Sequence, residues 1–163
     1  MKSLLVVYHS MTGAAEQLAL AAAAGAKTQQ DIDVRVCRAR DAEPTDLLAA
    51  DGYLFATPEN LATMAGLMKD FFDRVYYAVL ERVNGRPYAA IVAAGTDGAG
   101  AARQLQRIAT GLRLREVAPP LVVRNGAQTP AEILAPKIVP PADLQTARDL
   151  GTALAAGIAA GIF

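Results

Sequence analysis

Three short stretches hold residues whose types and spacing suit an anionic, flat ligand. The first is His9-Ser10-Met11-Thr12-Gly13-Ala14-Ala15, between a short apolar run and an alanine-rich stretch. It offers two hydroxyls, a glycine open to unusual backbone angles and the free amides of a helix start. Amides and the positive helix end hold a phosphate, and hydroxyls add hydrogen bonds. No Lys or Arg lies in this loop, and a Gly-Lys-Ser/Thr ending is missing. A nucleotide triphosphatase needs that cation at the transferring phosphoryl group, so the loop is one for holding phosphate, not transferring it. The competing reading is that Ser10 and Thr12 only cap a helix.

The second stretch is Thr57-Pro58-Glu59-Asn60-Leu61. Pro58 fixes the backbone as it leaves a strand, and Asn60 could cap the following helix or offer its amide to a ligand. A plain proline turn with an N-cap would use the same residues. The third, Gly95-Thr96-Asp97-Gly98-Ala99-Gly100, has three glycines in six residues. That density lets backbone pass close to a flat ligand, where one glycine would suffice for a flexible turn. The string is not Gly-x-Gly-x-x-Gly, so it carries no dinucleotide fingerprint.

Other chemistries are excluded by what is missing. Cys37 is the only cysteine and His9 the only histidine, which removes disulfides, cysteine-based zinc sites and histidine-cluster metal sites. Cys37 lies between Arg35 and Arg38, so a lowered pKa is conceivable, but a small buried hydrophobe is the expectation. Sixteen Lys and Arg balance sixteen Asp and Glu, leaving no basic footprint for nucleic acid or a membrane surface. The apolar tail 150–163 is shorter than a membrane span. No membrane insertion and a cytoplasmic protein with a reduced thiol are expected.

The elements that must position these loops follow from periodicity. Strands are expected at Ser3–Tyr8, Ile32–Cys37, Gly52–Ala56, Tyr88–Ala94 and Val117–Val123, the last interrupted by Pro119-Pro120. Helices are expected at Gly13–Ala26, Pro44–Ala50, Leu61–Arg82, Ala99–Leu112 and Ala142–Ile162. In the third of these, Leu61, Met64, Leu67, Met68, Phe71, Phe72, Val75 and Val79 recur at helical spacing. Residues 125–141 are polar and proline-rich, a surface excursion. With 53% hydrophobic residues and 163 in all, the chain can bury one substantial core. Apolar strands alternating with helices call for an α/β, three-layer fold, a parallel sheet with helices on both faces. In such sheets ligands bind beyond the carboxyl ends of the strands, where the strand order reverses. All three loops lie at strand-to-helix junctions.

Together the loops resemble the flavodoxin-like family. The likeness is stronger to its NADPH-dependent FMN reductase and flavodoxin-like oxidoreductase members than to the small electron carriers. YHSMTGAAEQLA is similar to the family's phosphate loop, ATPENLATMAGLMKDFFDRV to its strand-three signature, and AAGTDGAGAARQLQRI to the loop flanking the flavin ring. The resemblance implies one flavodoxin-like domain over 1–163 with five parallel strands in the order 2-1-3-4-5. It further implies that Ser10, Met11, Thr12, Gly13, Ala14 and Ala15 wrap the phosphate of FMN. Pro58, Glu59, Asn60 and Leu61 would touch the isoalloxazine and ribityl chain. Gly95, Thr96, Asp97, Gly98 and Gly100 would lie along the pyrimidine edge. Ala15 stands where the family often has a polar residue, and neither flavin loop has the aromatic that electron carriers stack on the ring.

Three functions stay open at this point. The first is an FMN oxidoreductase that takes hydride from NAD(P)H and reduces a small-molecule acceptor such as a quinone. The second is a flavodoxin-type carrier serving a protein acceptor; near-zero net charge counts against it, since weak redox partners meet through opposed fields. The third is a non-enzymatic binding or regulatory domain on the same fold. A homo-oligomer is left open. A receiver domain fails, because His9-Ser10 and Thr57-Pro58 stand where its acidic residues would be. A low-molecular-weight phosphatase fails for want of a cysteine in the first loop.

Overall fold

Strand β1 (Lys2–Tyr8) sends Leu4, Val6 and Tyr8 to one face of the sheet and Leu5 and Val7 to the other, as a strand's period of two requires. The same division recurs along β3 (Gly52–Asn60) and β5 (Pro87–Ala94), where Phe55 and Val92 share a face with Leu5, and Leu54 and Ile91 share one with Leu4. Burial on both faces explains why these central strands read as continuous apolar runs. The computed structural model describes residues 1–163.

The parallel sheet runs in the order β2 (Ile32–Arg38), β1, β3, β5, as expected for strands two, one, three and four. The fifth position is split into β6 (Arg115–Glu116) and β7 (Leu121–Arg124), both parallel to β5. Pro119-Pro120 lies in the gap, because prolines cannot donate to the ladder. Six of the seven strands thus fill five parallel positions, and the seventh, β4 (Thr63–Met64), is a short antiparallel return on β3.

Helices α2 (Pro44–Ala49), α3 (Gly66–Val79) and α4 (Ala99–Gly111) cover one face. Phe55 meets Phe72 edge-on at a centroid distance of 5.2 Å there. Helices α1 (Ala14–Ala26) and α6 (Pro141–Ala159) cover the other face and pack closely together. A Cβ on Gly25 would collide with the Arg148 carbonyl, and one on Gly151 with the Ala22 carbonyl. No helix is long and apolar enough to cross a membrane.

Two sequence expectations are corrected between β3 and α3. The strand does not stop at Thr57-Pro58 but continues to Asn60, and the helix begins at Gly66 rather than Leu61. Pairing of β3 with β1 ends at Ala56, so Pro58 enters where one neighbour has already been left behind. The chain then turns back at Leu61 (φ 51°) and Ala62 (φ 63°), both left-handed, which forbids a helix start there. Asn60 therefore does not cap the helix; the N-cap position is Ala65, whose amide donates to the buried Thr57 hydroxyl at 3.2 Å. Of the expected stripe, Met68, Phe71, Phe72, Val75 and Val79 are buried on α3, whereas Leu61 and Leu67 are exposed and Met64 is buried from β4.

Residues 125–141 are more than a surface excursion. They form a one-turn helix, α5 (Pro130–Leu134), opened by a reciprocal capping box between Thr129 and Glu132. The segment then folds back over the start of α1.

Candidate functional site

At the carboxyl ends of β1, β3 and β5 lies a cavity of about 460 Å³. Its walls come from four segments. Ser10, Met11, Thr12, Ala14 and Ala15 supply one end; Pro58 to Ala62 and Ala93 to Thr96 supply two sides; Asn125, Ala127, Ile133 and Lys137 complete it.

The first loop is built around donors with nothing to bind. Gly13 takes φ 100° as the N-cap of α1, a conformation that suits glycine, and its amide donates to Ser10 Oγ at 3.1 Å. The first helical bond runs from the Gln17 amide to the Gly13 carbonyl. The amides of Thr12, Ala14 and Ala15 have no acceptor within the chain, although Ala14 and Ala15 are buried. Buried amides left unpaired are costly, so this loop is organised for an external acceptor at the positive end of α1.

The returning segment braces that loop. The Lys137 amide donates to the Thr12 carbonyl at 2.8 Å. The Gln17 side chain donates to the Gly13 and Lys137 carbonyls at 3.0 and 2.8 Å and accepts from the Val139 amide at 3.1 Å. Lys137 Nζ rests on the Glu132, Ile133 and Ala135 carbonyls at 2.6, 3.0 and 2.6 Å, neutralising the negative end of α5. A cation thus stands in the cavity wall although the first loop itself has none.

Glu59 ties the second loop to the third. Its Oε1 accepts from the Gly98 amide at 2.8 Å and its Oε2 from the Ala101 amide at 3.0 Å, so one carboxylate caps the start of α4. The hairpin tip is further held by Gln104, whose Oε1 accepts from the Met64 amide at 2.9 Å. Gly100 lies against the Ala62 carbonyl, leaving no room for a Cβ. Two adjacent non-glycine residues in the left-handed region are uncommon, and here they form the rim, with Leu61 99% exposed. At Gly95 a Cβ would lie 2.7 Å from the Ala127 carbonyl, so the returning segment crosses this glycine directly.

Of the residues singled out in the sequence, Gly13, Asp97, Gly98 and Gly100 do not line the cavity. They shape backbone instead. The Asp97 carboxylate accepts from the Ala99 amide at 3.3 Å, while Gly98, at φ 91°, packs beneath the loop against Val122. The remaining residues of the three loops are brought together around one space. Asn125, Ala127, Ile133 and Lys137 were missed. The Thr129-Pro130-Ala131-Glu132 capping box was a visible sign of order in that stretch, but nothing local said where it would dock. Away from the cavity, burial and then the Asp46 carboxylate push the Cys37 thiol above its ordinary range, against a reactive thiolate.

The match to known proteins takes in the second and third of these loops. The family model described as NADPH-dependent FMN reductase matches residues 44–129. The chain belongs to that family. Its cofactor is FMN, and the unpartnered amides in the wall of the cavity fit a molecule that carries a phosphate. Among relatives, an NAD(P)H dehydrogenase (quinone) of Acidithiobacillus ferrooxidans is 36% identical over 94 residues, covering 45% of this chain and 47% of that protein. A flavodoxin of Aquifex aeolicus is 31% identical over 100 residues, covering 61% of this chain and 54% of that one. The chain spans about half the length of the curated relatives it matches. A solved flavodoxin from the domain Archaea superposes with a TM-score of 0.77 at 20% identity, covering 96% of this chain and 98% of that one, which establishes the shared fold.

Proposed function

We propose that this protein is an NAD(P)H-dependent FMN oxidoreductase that passes electrons to a small acceptor such as a quinone, with residues 1–163 acting as one FMN-binding domain. The observation that carries the reading is the set of unpartnered amides of Thr12, Ala14 and Ala15 at the cavity end. These amides, with the hydroxyls of Ser10 and Thr12, would hold the phosphate, and Gly13 gives the turn its shape. Pro58, Asn60, Leu61, Gly95 and Thr96 would border the ring and ribityl chain. Glu59, Asp97, Gly98 and Gly100 act through the backbone that carries those residues. Bound FMN would supply the chemistry, accepting hydride from the nicotinamide and delivering electrons onward.

The protein needs no acid–base dyad for this, and the cavity wall offers none. Its only ionisable side chains are Glu59, committed to the α4 amides, and Lys137. No aromatic side chain lines the cavity, which leaves a ring face accessible to donor and acceptor. That feature, with the balanced charge, supports an enzyme over a carrier. The quinone is drawn from the named relative.

Steady-state NADPH oxidation with a benzoquinone, with and without added FMN, tests the reading. Turnover that requires FMN is expected. Bound FMN without turnover would leave the carrier. Lys137→Met should weaken FMN about fivefold, roughly 1 kcal/mol for one charge near a phosphate in a partly screened site. Riboflavin, which lacks the phosphate, should bind the variant as it binds the parent. Fluorescence titration of both flavins checks this, and equal losses would mean that Lys137 serves only the brace.

A further inference from the structure

A second, smaller cleft of about 140 Å³ adjoins the first, and Ser10 lines both. It opens between the end of β1, the end of β2 and the start of α3, where Leu67 closes one side. Donors dominate its wall. Arg40 contacts only its neighbour Asp41, through Nε at 3.4 Å, so its terminal nitrogens are uncommitted. Arg38 reaches Glu16 at 3.3 Å, and Glu16 also accepts from the Tyr8 hydroxyl at 2.9 Å. Both contacts fall on Oε1 of Glu16, so two guanidinium groups face a single carboxylate and the wall carries one positive charge in excess.

The half-buried His9 imidazole makes no hydrogen bond within the chain. Burial and then the Arg38 charge hold it below its ordinary pKa, so it stays neutral near pH 7 and offers one N–H. A cleft with one positive charge in excess and a guanidinium whose terminal nitrogens are open suits a phosphomonoester. The FMN phosphate already has its place on the α1 amides, so a second phosphate must come from another molecule.

We propose that this cleft receives the 2′-phosphate of NADPH, with Arg40 as the principal contact and His9 and Ser10 as neutral donors. The proposal rests on the reductase reading and adds to it a reason for preferring NADPH over NADH. Of the two nucleotides only NADPH carries a phosphomonoester, and the shared Ser10 places the cleft beside the flavin cavity.

Two measurements on the FMN-loaded protein test it. In kinetics, Arg40→Ala should lower the ratio of kcat/KM for NADPH to that for NADH about tenfold, and Arg40→Lys should restore part of it. In calorimetry, 2′-phospho-ADP-ribose should bind the parent and lose about tenfold in Arg40→Ala, while ADP-ribose, which lacks the phosphomonoester, should bind both proteins equally. An unchanged ratio, no binding of 2′-phospho-ADP-ribose to the parent, or an equal loss for ADP-ribose would each overturn the proposal. The calorimetric arm needs no turnover. Arg40-dependent binding of 2′-phospho-ADP-ribose without oxidation of either nucleotide would uphold the cleft and defeat the reductase; oxidation of both without dependence on Arg40 would do the reverse.

Discussion

Glu59→Ala should weaken FMN binding by about 10- to 100-fold while the protein stays folded. The carboxylate holds two amides at the start of α4, and hydrogen bonds to a charged group are worth about 1.5–3 kcal/mol each. Water can replace part of that at a half-buried position, so the net loss lies nearer one bond than two. Its consequence is local: the β3–β4 hairpin and the loop after β5 lose their common anchor, and both line the cavity. Glu59→Gln keeps an acceptor for one amide but sets its own N–H₂ against the other, and should fall between alanine and the parent. Gly100→Ala should reproduce the affinity loss with the carboxylate still present, because its Cβ pushes on the Ala62 carbonyl and abuts Glu59 Oε2. FMN titrations of the three variants, alongside thermal melts of the flavin-free proteins, separate this from general unfolding. Unchanged affinity in both Glu59→Ala and Gly100→Ala would show that the hairpin does not set the site.

The second large effect lies far from the cavity. Gly151→Ala should cost about 3 kcal/mol, the upper end for overpacking, because the new Cβ meets the Ala22 carbonyl rather than a movable side chain. For a chain of this size that corresponds to a fall in Tm of about 6–12 °C. Gly25→Ala, which meets the Arg148 carbonyl across the same helix pair, should behave alike. The double variant should cost less than the sum, since separating the helices once relieves both clashes. The FMN affinity of whatever remains folded should be unaffected. A stable Gly151→Ala protein would mean that α1 and α6 can move apart freely.

Most of the architecture was legible because its cause is local. Period-two burial in β1, β3 and β5 and helical spacing in α3 each reflect what one segment does with its own side chains. The split at Pro119-Pro120 was legible for the same reason. The hairpin at 59–64 was not, because Leu61 and Ala62 look like ordinary helix formers. What turns them is remote: Glu59 reaching Gly98 and Ala101, and Gln104 reaching Met64, contacts across about forty residues of sequence. The loops around the cavity stood out because their glycines and hydroxyls are unusual at strand ends. Lys137 stayed hidden because its place depends on Gln17 and Thr12, more than a hundred residues away.

The most direct test of the account is the visible spectrum of the FMN-loaded protein under anaerobic conditions, followed through addition of NADPH and then of a quinone. The account predicts tightly bound flavin whose bands bleach with NADPH and return with the quinone. Bands that persist with NADPH yet bleach with dithionite would contradict the reductase, and a protein that takes up no flavin from excess FMN would contradict the site itself.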